Sequence, residues 1–128
     1  MESARAIVNM MTEPESDFVY RLATEQEWRA AQETGRVPKR DIDERDGYYH
    51  LSTRSQLLET ANLHFAGAAD LLALKMPLAA IAGDVKFELA PKRGEKFPHL
   101  YGDLNVGHVA AAIRLNNEKG GFQFGDIL

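Results

Sequence analysis

The sequence predicts a small α+β domain, and three of its features carry that expectation. Stretches of alternating polarity, FVYRLA (18–23) and VKFELA (85–90), have the period of two that places successive side chains on opposite faces of a strand. The almost unbroken apolar run DLLALKM (70–76) has strand length and suits a strand covered on both faces. Two S/T-x-x-E/Q patterns, Thr24 with Glu27 and Thr53 with Gln56, have the form of capping boxes that open helices.

The elements follow in order. Met1 to Ser16 lacks a long apolar region and runs into an acidic, proline-containing segment, so residues 1–16 read as a flexible extension with neither signal peptide nor anchor, and residues 17–128 as a single domain. In the first strand Phe18, Tyr20 and Leu22 share one face, and Val19, Arg21 and Ala23 the other. The helix after Thr24 carries Trp28 and Ala31 toward the core and stops at Gly35, where a left-handed residue costs least. RVPKRDIDERDG (36–47) is polar, contains Pro38 and reads as a loop into an Asp46–Gly47 turn.

YYHLS (48–52) reads as a strand with Tyr48, His50 and Ser52 on one side and Tyr49 and Leu51 on the other. The helix that Thr53 opens has Leu57, Leu58, Ala61 and Phe65 at helical spacing and ends near Gly67. In the strand 85–90 Val85, Phe87 and Leu89 alternate with Lys86 and Glu88, so Glu88 faces away from the main core. PKRGEKFPHLYGDLN (91–105) reads as a Gly- and Pro-rich loop in which Pro98 holds Phe97 extended and His99 and Tyr101 project to one side. The C-terminus fits either a helix or a hairpin; a brief turn at Val106–Val109 followed by a hairpin is preferred.

Composition limits the functions. The 128 residues are 45% hydrophobic and 27% charged, ordinary for a globular domain. With no cysteine there is no disulfide framework, thiolate zinc site or cysteine nucleophile, and a reducing cytoplasm is the expected location. A net charge of -4 argues against a broad phosphate-tracking surface, so nucleic acid is not the expected partner. His50, His64, His99 and His108 form no close pair on one element, and no metal site is expected. His64 and His108 are explained by packing or half-exposure. Ser52 and Thr53 lack the Gly-x-Ser-x-Gly elbow of a serine nucleophile, and capping accounts for Thr53. His50 is either a ligand-binding group in a polar notch with Tyr48 and Ser52 or a core histidine bonded to backbone. KFPHLYG (96–102) has rings suited to stacking a flat base and KRGEK (92–96) cations suited to phosphate, although a solvated loop accounts for both.

DGYYHLSTRSQLLETANLHFAG, DLLALKM and KFELAPKRGEKFPHLYGDLN, taken together, resemble a bacterial family catalogued as domain of unknown function 952, from Phe18 onward. That resemblance implies an ADP-ribosyltransferase-like fold: split, mainly antiparallel sheets with short flanking helices and an NAD cleft between them. The order of motifs is also similar to the RNA 2′-phosphotransferases of that superfamily.

By the resemblance His50 and Ser52 line an NAD or ADP-ribose pocket and Arg21 matches a cofactor contact of the first strand. A guanidinium can meet a pyrophosphate with a fork of donors, and imidazole or hydroxyl can hold a ribose edge. The expected cofactor-binding set is Arg21, Tyr48, His50, Ser52, His99 and Tyr101, and the expected catalytic set is His50, Glu88 and His99. Glu88 is the available strand carboxylate, yet it sits in no transferase signature. The alternative is a non-enzymatic module that keeps the fold and binds another small molecule or a protein.

Overall fold

A computed structural model of the chain describes residues 17–128, so the extension expected over residues 1–16 lies outside the described residues. The architecture is mixed α+β with antiparallel sheets and a few short helices. Strands β1 (Phe18–Thr24), β3 (Leu71–Pro77), β6 (Ala111–Glu118) and β7 (Gly121–Ile127) form one sheet in the order β1-β3-β6-β7. Strands β2 (Tyr49–His50), β5 (Glu95–Leu100) and β4 (Val85–Ala90) form a second in the order β2-β5-β4. Helices α1 (Glu25–Thr34), α2 (Asp41–Asp46), α3 (Arg54–His64) and α4 (Leu78–Ile81) connect them. Among the described residues no helix is long and apolar enough to cross a membrane.

The alternation of β1 serves two cores. Val19 and Ala23 pack with Leu74, Met76, Tyr49, Leu51 and Leu100, a cluster to which both sheets contribute. Tyr20 and Leu22 pack on the opposite side with Leu57 and Ala61 of α3 and with Ile113, Leu115 and Phe122. β3 lies between β1 and β6 and supplies both clusters, Leu74 and Met76 to the first, Leu71 and Ala73 to the second, which is why its sequence is apolar at nearly every position. Burial of one such leucine contributes about 1.5–3 kcal/mol. The sheets are stitched where Tyr20 N–H donates to Ser52 O at 2.8 Å and Ser52 N–H donates to Tyr20 O at 2.9 Å.

The α1 caps form as the sequence predicts. Glu27 N–H donates to Thr24 Oγ1 at 3.1 Å, Thr24 N–H to Glu27 Oε1 at 2.9 Å, and Gly35 closes the helix at φ 86°. The second box is present, with Thr53 N–H donating to Gln56 Oε1 at 3.0 Å. α3 stops at His64, earlier than expected, and Gly67 carries the following turn at φ 87°. At the C-terminus the turn at Val106–His108 and the β6–β7 hairpin replace the helical alternative.

Two expected loops are regular structure. Within 36–47 the chain forms α2, ended by Gly47 at φ 83°. At six residues it is too short to show a helical period, and it is held by what Asp43 bonds to, not by intrinsic propensity. Within 91–105 the chain forms β5, despite Pro98. Leu51 N–H donates to Pro98 O at 3.1 Å, so the backbone of Pro98 faces the β2 side, and Phe87–Pro98 is the kind of β4–β5 pair that exchanges no hydrogen bonds. The missing proline N–H therefore costs the β4–β5 ladder nothing.

Leu74→Ala is expected to lower stability by roughly 2–5 kcal/mol and Thr24→Ala by about 1 kcal/mol, read as shifts of the urea midpoint at unchanged slope. Leu63, 57% exposed, is the control, and its replacement by alanine should stay within about 0.5 kcal/mol. Equal effects at positions 63 and 74 would contradict this core.

Candidate functional site

The site is built from the edge of β2. His50 lies opposite His99 of β5, next to the pair joined by Leu51 N–H and Pro98 O. Hydrogen-bonded and non-hydrogen-bonded pairs alternate along an antiparallel ladder, so His50–His99 is a non-hydrogen-bonded pair. Its side chains stand close, and the N–H and C=O of His50 turn away from β5. Both find partners there: His50 N–H donates to Asp43 Oδ1 at 3.1 Å, and Arg21 Nη1 donates to His50 O at 3.2 Å.

Arg21 and Asp43 meet as a buried fork. Nη1 donates to Oδ1 at 3.0 Å and Nη2 to Oδ2 at 2.6 Å, with the side chains 1% and 0% exposed. Desolvating two charges costs several kcal/mol per ion, and only a full set of hydrogen bonds offsets it. Asp43 has that set, since Arg40 N–H also donates to Oδ2 at 2.7 Å and the His50 ring reaches Oδ1. Burial alone would raise the Asp43 carboxyl; the hydrogen bonds from His50 and Arg21, the guanidinium charge and the Arg40 N–H overcome it and hold the group well below the usual carboxylate range. Arg21 is less well served, because its Nε is buried with no hydrogen-bond partner.

The imidazole of His50 lies between two carboxylates, Nδ1 at 2.7 Å from Asp43 Oδ1 and Nε2 at 3.0 Å from Asp46 Oδ2. A neutral ring offers one N–H and serves one of them; a doubly protonated ring serves both. Asp46 is held low by its hydrogen bond from Arg45, against some burial, with a further bond to His50. Tyr48 packs its ring on His99 with centroids 3.9 Å apart and also meets His50 at 4.6 Å and Tyr101 at 5.2 Å. On β5 and its continuation, His99 Nδ1 lies 2.9 Å from Glu88 Oε1, and Tyr101 Oη donates to the same oxygen at 2.6 Å. Those two bonds hold the Glu88 carboxyl below its ordinary value, Tyr101 first, and the carboxylate in turn pushes Tyr101 up to about 12. Burial pushes the Tyr48 hydroxyl up, with Asp46 and Glu88 adding to it. Lys86 Nζ stands 5.0 Å from the Tyr101 ring centroid.

Tyr48, His50, Glu88, His99 and Tyr101 are thus one polar, aromatic cluster drawn from β2, β4 and β5 and their flanks, with the His50 side chain 31% and Glu88 40% exposed and His99 buried against the Tyr48 ring. Two expected members are elsewhere. The guanidinium of Arg21 does not reach this surface, because Asp43 consumes its fork, and it acts on the face only through Asp43 and the His50 carbonyl. Ser52 is buried in the seam with Tyr20. Three contributors went unread in the sequence: Asp43, Asp46 and Arg40. The Asp-x-x-Asp-x-x-x-His spacing from 43 to 50 is the available signal for the two aspartates, hidden because 36–47 reads as loop, and Arg40 has none. A separate concavity of about 280 Å3 lined by Ala30, Thr34, Arg36, Val37, Pro38, Lys39, Glu44 and Tyr49 shares none of the face residues. Among the described residues no group of three or more His, Asp or Glu side chains is arranged to hold a metal.

The family model described as "Protein of unknown function (DUF952)" matches residues 22–112. The crystal structure of protein CC0527 from Caulobacter crescentus is similar to this chain at 34% identity and a TM-score of 0.76, covering 83% of this chain and 93% of that one. The solution NMR structure of CC0527 matches with a TM-score of 0.72 at 34% identity over 82% and 90% of the two chains. No curated protein matches the chain.

Two outcomes follow from the geometry. Asp43→Asn strands Arg21 in the interior and should cost about 3–5 kcal/mol in urea unfolding at neutral pH. Since Asp43 is depressed in the fold, its contribution is complete above the ordinary carboxylate value of about 4 and fades as pH falls below it toward the folded value. The gap between wild type and variant should therefore narrow only below that pH. Glu88→Gln should bring Tyr101 from about 12 back toward about 10, read from the pH dependence of ¹³C-tyrosine shifts.

Proposed function

The chain belongs to the family described as "Protein of unknown function (DUF952)", and within it we propose that this protein binds a nucleotide of the NAD or ADP-ribose type at the Tyr48–His50–Glu88–His99–Tyr101 face. What carries the proposal is the convergence, from separated parts of the chain, of two imidazole–carboxylate pairs and two tyrosine rings, of which His50, Glu88 and Tyr101 reach solvent while Asp43 and His99 lie beneath them. Two antiparallel sheets flanked by short helices support an ADP-ribosyltransferase-like assignment of the fold.

The donor set suits the nicotinamide riboside half of such a ligand. A flat, positively charged ring is favoured by tyrosine faces and by the carboxylates of Asp46 and Glu88. Ribose hydroxyls can pair with imidazole nitrogen or carboxylate oxygen. The phosphates fall to Lys86 and Arg45, because Arg21 is committed to Asp43. The bound dinucleotide would supply a labile bond between ribose and nicotinamide. Glu88 is placed to offset positive charge developing on a ribose, which is the electrostatic requirement of ADP-ribosyl transfer. His99, tied to Glu88 through Nδ1, keeps Nε2 without a hydrogen-bond partner among the described residues and can hold or pass a proton.

A binding module without turnover is the second reading, and one observation favours it. A single oxygen of Glu88 accepts from both Tyr101 and His99, so the carboxylate is engaged before any ligand arrives.

Titration of NAD and of ADP-ribose into ¹⁵N-labelled protein should shift the amides of Tyr48, His50 and His99. No shift at about millimolar ligand, a range corresponding to roughly 4 kcal/mol of binding, would sink the proposal. Nicotinamide release that disappears in Glu88→Gln would establish cleavage of the ribose–nicotinamide bond, with ADP-ribose recovered on an acceptor marking transfer and free ADP-ribose marking hydrolysis; binding of NAD with no release would establish the module.

A further inference from the structure

The outer edge of β4 is a second feature, independent of the imidazole face. β4 is the last strand of its sheet, and among the described residues nothing pairs with its far side. Tyr101 N–H donates to Asp84 O at 2.8 Å, which fixes the phase of the ladder. Backbone groups of Lys86 and Glu88 turn to β5, and those of Phe87 and Leu89 turn to the open edge together with the carbonyl of Val85, whose N–H donates to Ala82 O. Phe87 and Leu89 are also 41% and 59% exposed, although an open strand edge is where soluble proteins usually place charge or proline.

The five residues Val85-Lys86-Phe87-Glu88-Leu89 are self-complementary about Phe87. Laid antiparallel on a second copy, Phe87 faces Phe87 of the partner subunit, Val85 faces Leu89 of the partner subunit, and Lys86 faces Glu88 of the partner subunit. The backbone phase agrees with this register: Phe87 can exchange both hydrogen bonds with Phe87 of the partner subunit, and each Leu89 N–H can donate to the carbonyl of Val85 of the partner subunit, the Val85 N–H being held by the Ala82 carbonyl. Opposite charges directly across a ladder are favourable and like charges unfavourable, so the Lys86–Glu88 pairs select this register over its neighbours.

We propose that the protein forms a two-fold dimer through antiparallel pairing of β4 with β4 of a second copy, centred on Phe87. The arrangement is isologous and closes on itself, leaving no free edge on β4. It makes a six-stranded sheet from two three-stranded ones. Lys86 and Glu88 share the side of the sheet that carries His99, so both imidazole faces lie on that side, and Lys86 of the partner subunit stands beside each Glu88.

Sedimentation equilibrium of the full chain at increasing concentration tests this directly. The expected result is a rise from 14.3 kDa toward twice that mass. Phe87→Lys should leave a monomer with unchanged circular dichroism. Lys86→Glu and Glu88→Lys should each weaken the dimer about tenfold by facing like charges, and the double swap should restore it. In the wild-type dimer the amides of residues 87 and 89 should exchange with solvent more slowly than in the Phe87→Lys monomer. A monomer at every concentration, a dimer that survives Phe87→Lys, or a double swap that fails to recover association would each overturn the proposal. Slow exchange at positions 87 and 89 in a monomer would also overturn it, because another part of the same chain would then cover the edge.

Discussion

The buried fork between Arg21 and Asp43 is the constraint on which the rest of the site depends. Arg21 belongs to β1 of the larger sheet, Asp43 to α2, and both bond to His50 of the smaller sheet. A buried ion pair adds little net stability against an apolar replacement of the same shape, but once present it tolerates few alternatives to its own geometry. The guanidinium reaches Asp43, the His50 carbonyl and the Pro38 carbonyl together, so it sets where α2 ends up relative to β2. The orientation of the His50 ring follows, because the oxygen that accepts from the guanidinium also faces Nδ1.

The electrostatics of the face are correspondingly one-sided. Asp43, Asp46 and Glu88 are all held in the charged form by neighbours, and each has an imidazole against it. Lys86 and Arg45 are the nearby cations, the first over the Tyr101 ring and the second on Asp46. A ligand whose positive part is a flat ring meets complementary charge here, whereas a bare phosphate meets it only at the two cations.

Much of this was legible in the sequence. The strands β1 and β4 carry their period openly and β3 its unbroken apolar run, and the capping pairs Thr24–Glu27 and Thr53–Gln56 mark two helices because side chain and backbone there satisfy each other locally. Period two puts Tyr48 with His50 and His99 with Tyr101, and the family resemblance gathers these residues and Glu88 into one expected site along with Arg21 and Ser52. What stayed hidden is non-local. α2 exists because Asp43 is anchored by a residue 22 positions away in the chain, and β5 accepts Pro98 because the phase of two ladders happens to leave that nitrogen outside the β4 pairing. The resemblance makes the guanidinium of Arg21 a ligand contact, and its burial instead depends on α2, which no local pattern announces.

The stitches between the sheets are close neighbours in both strands. Tyr20 bonds to Ser52 through two backbone hydrogen bonds, and Arg21, the next residue, bonds to the carbonyl of His50, two residues earlier on the other side. Separating the sheets means breaking these bonds together and wetting a buried charge at the same moment. The consequence is cooperativity: with no low-energy way to peel one sheet from the other, the two cores melt as a single unit, and partial opening is left to peripheral parts such as the turn between β4 and β5.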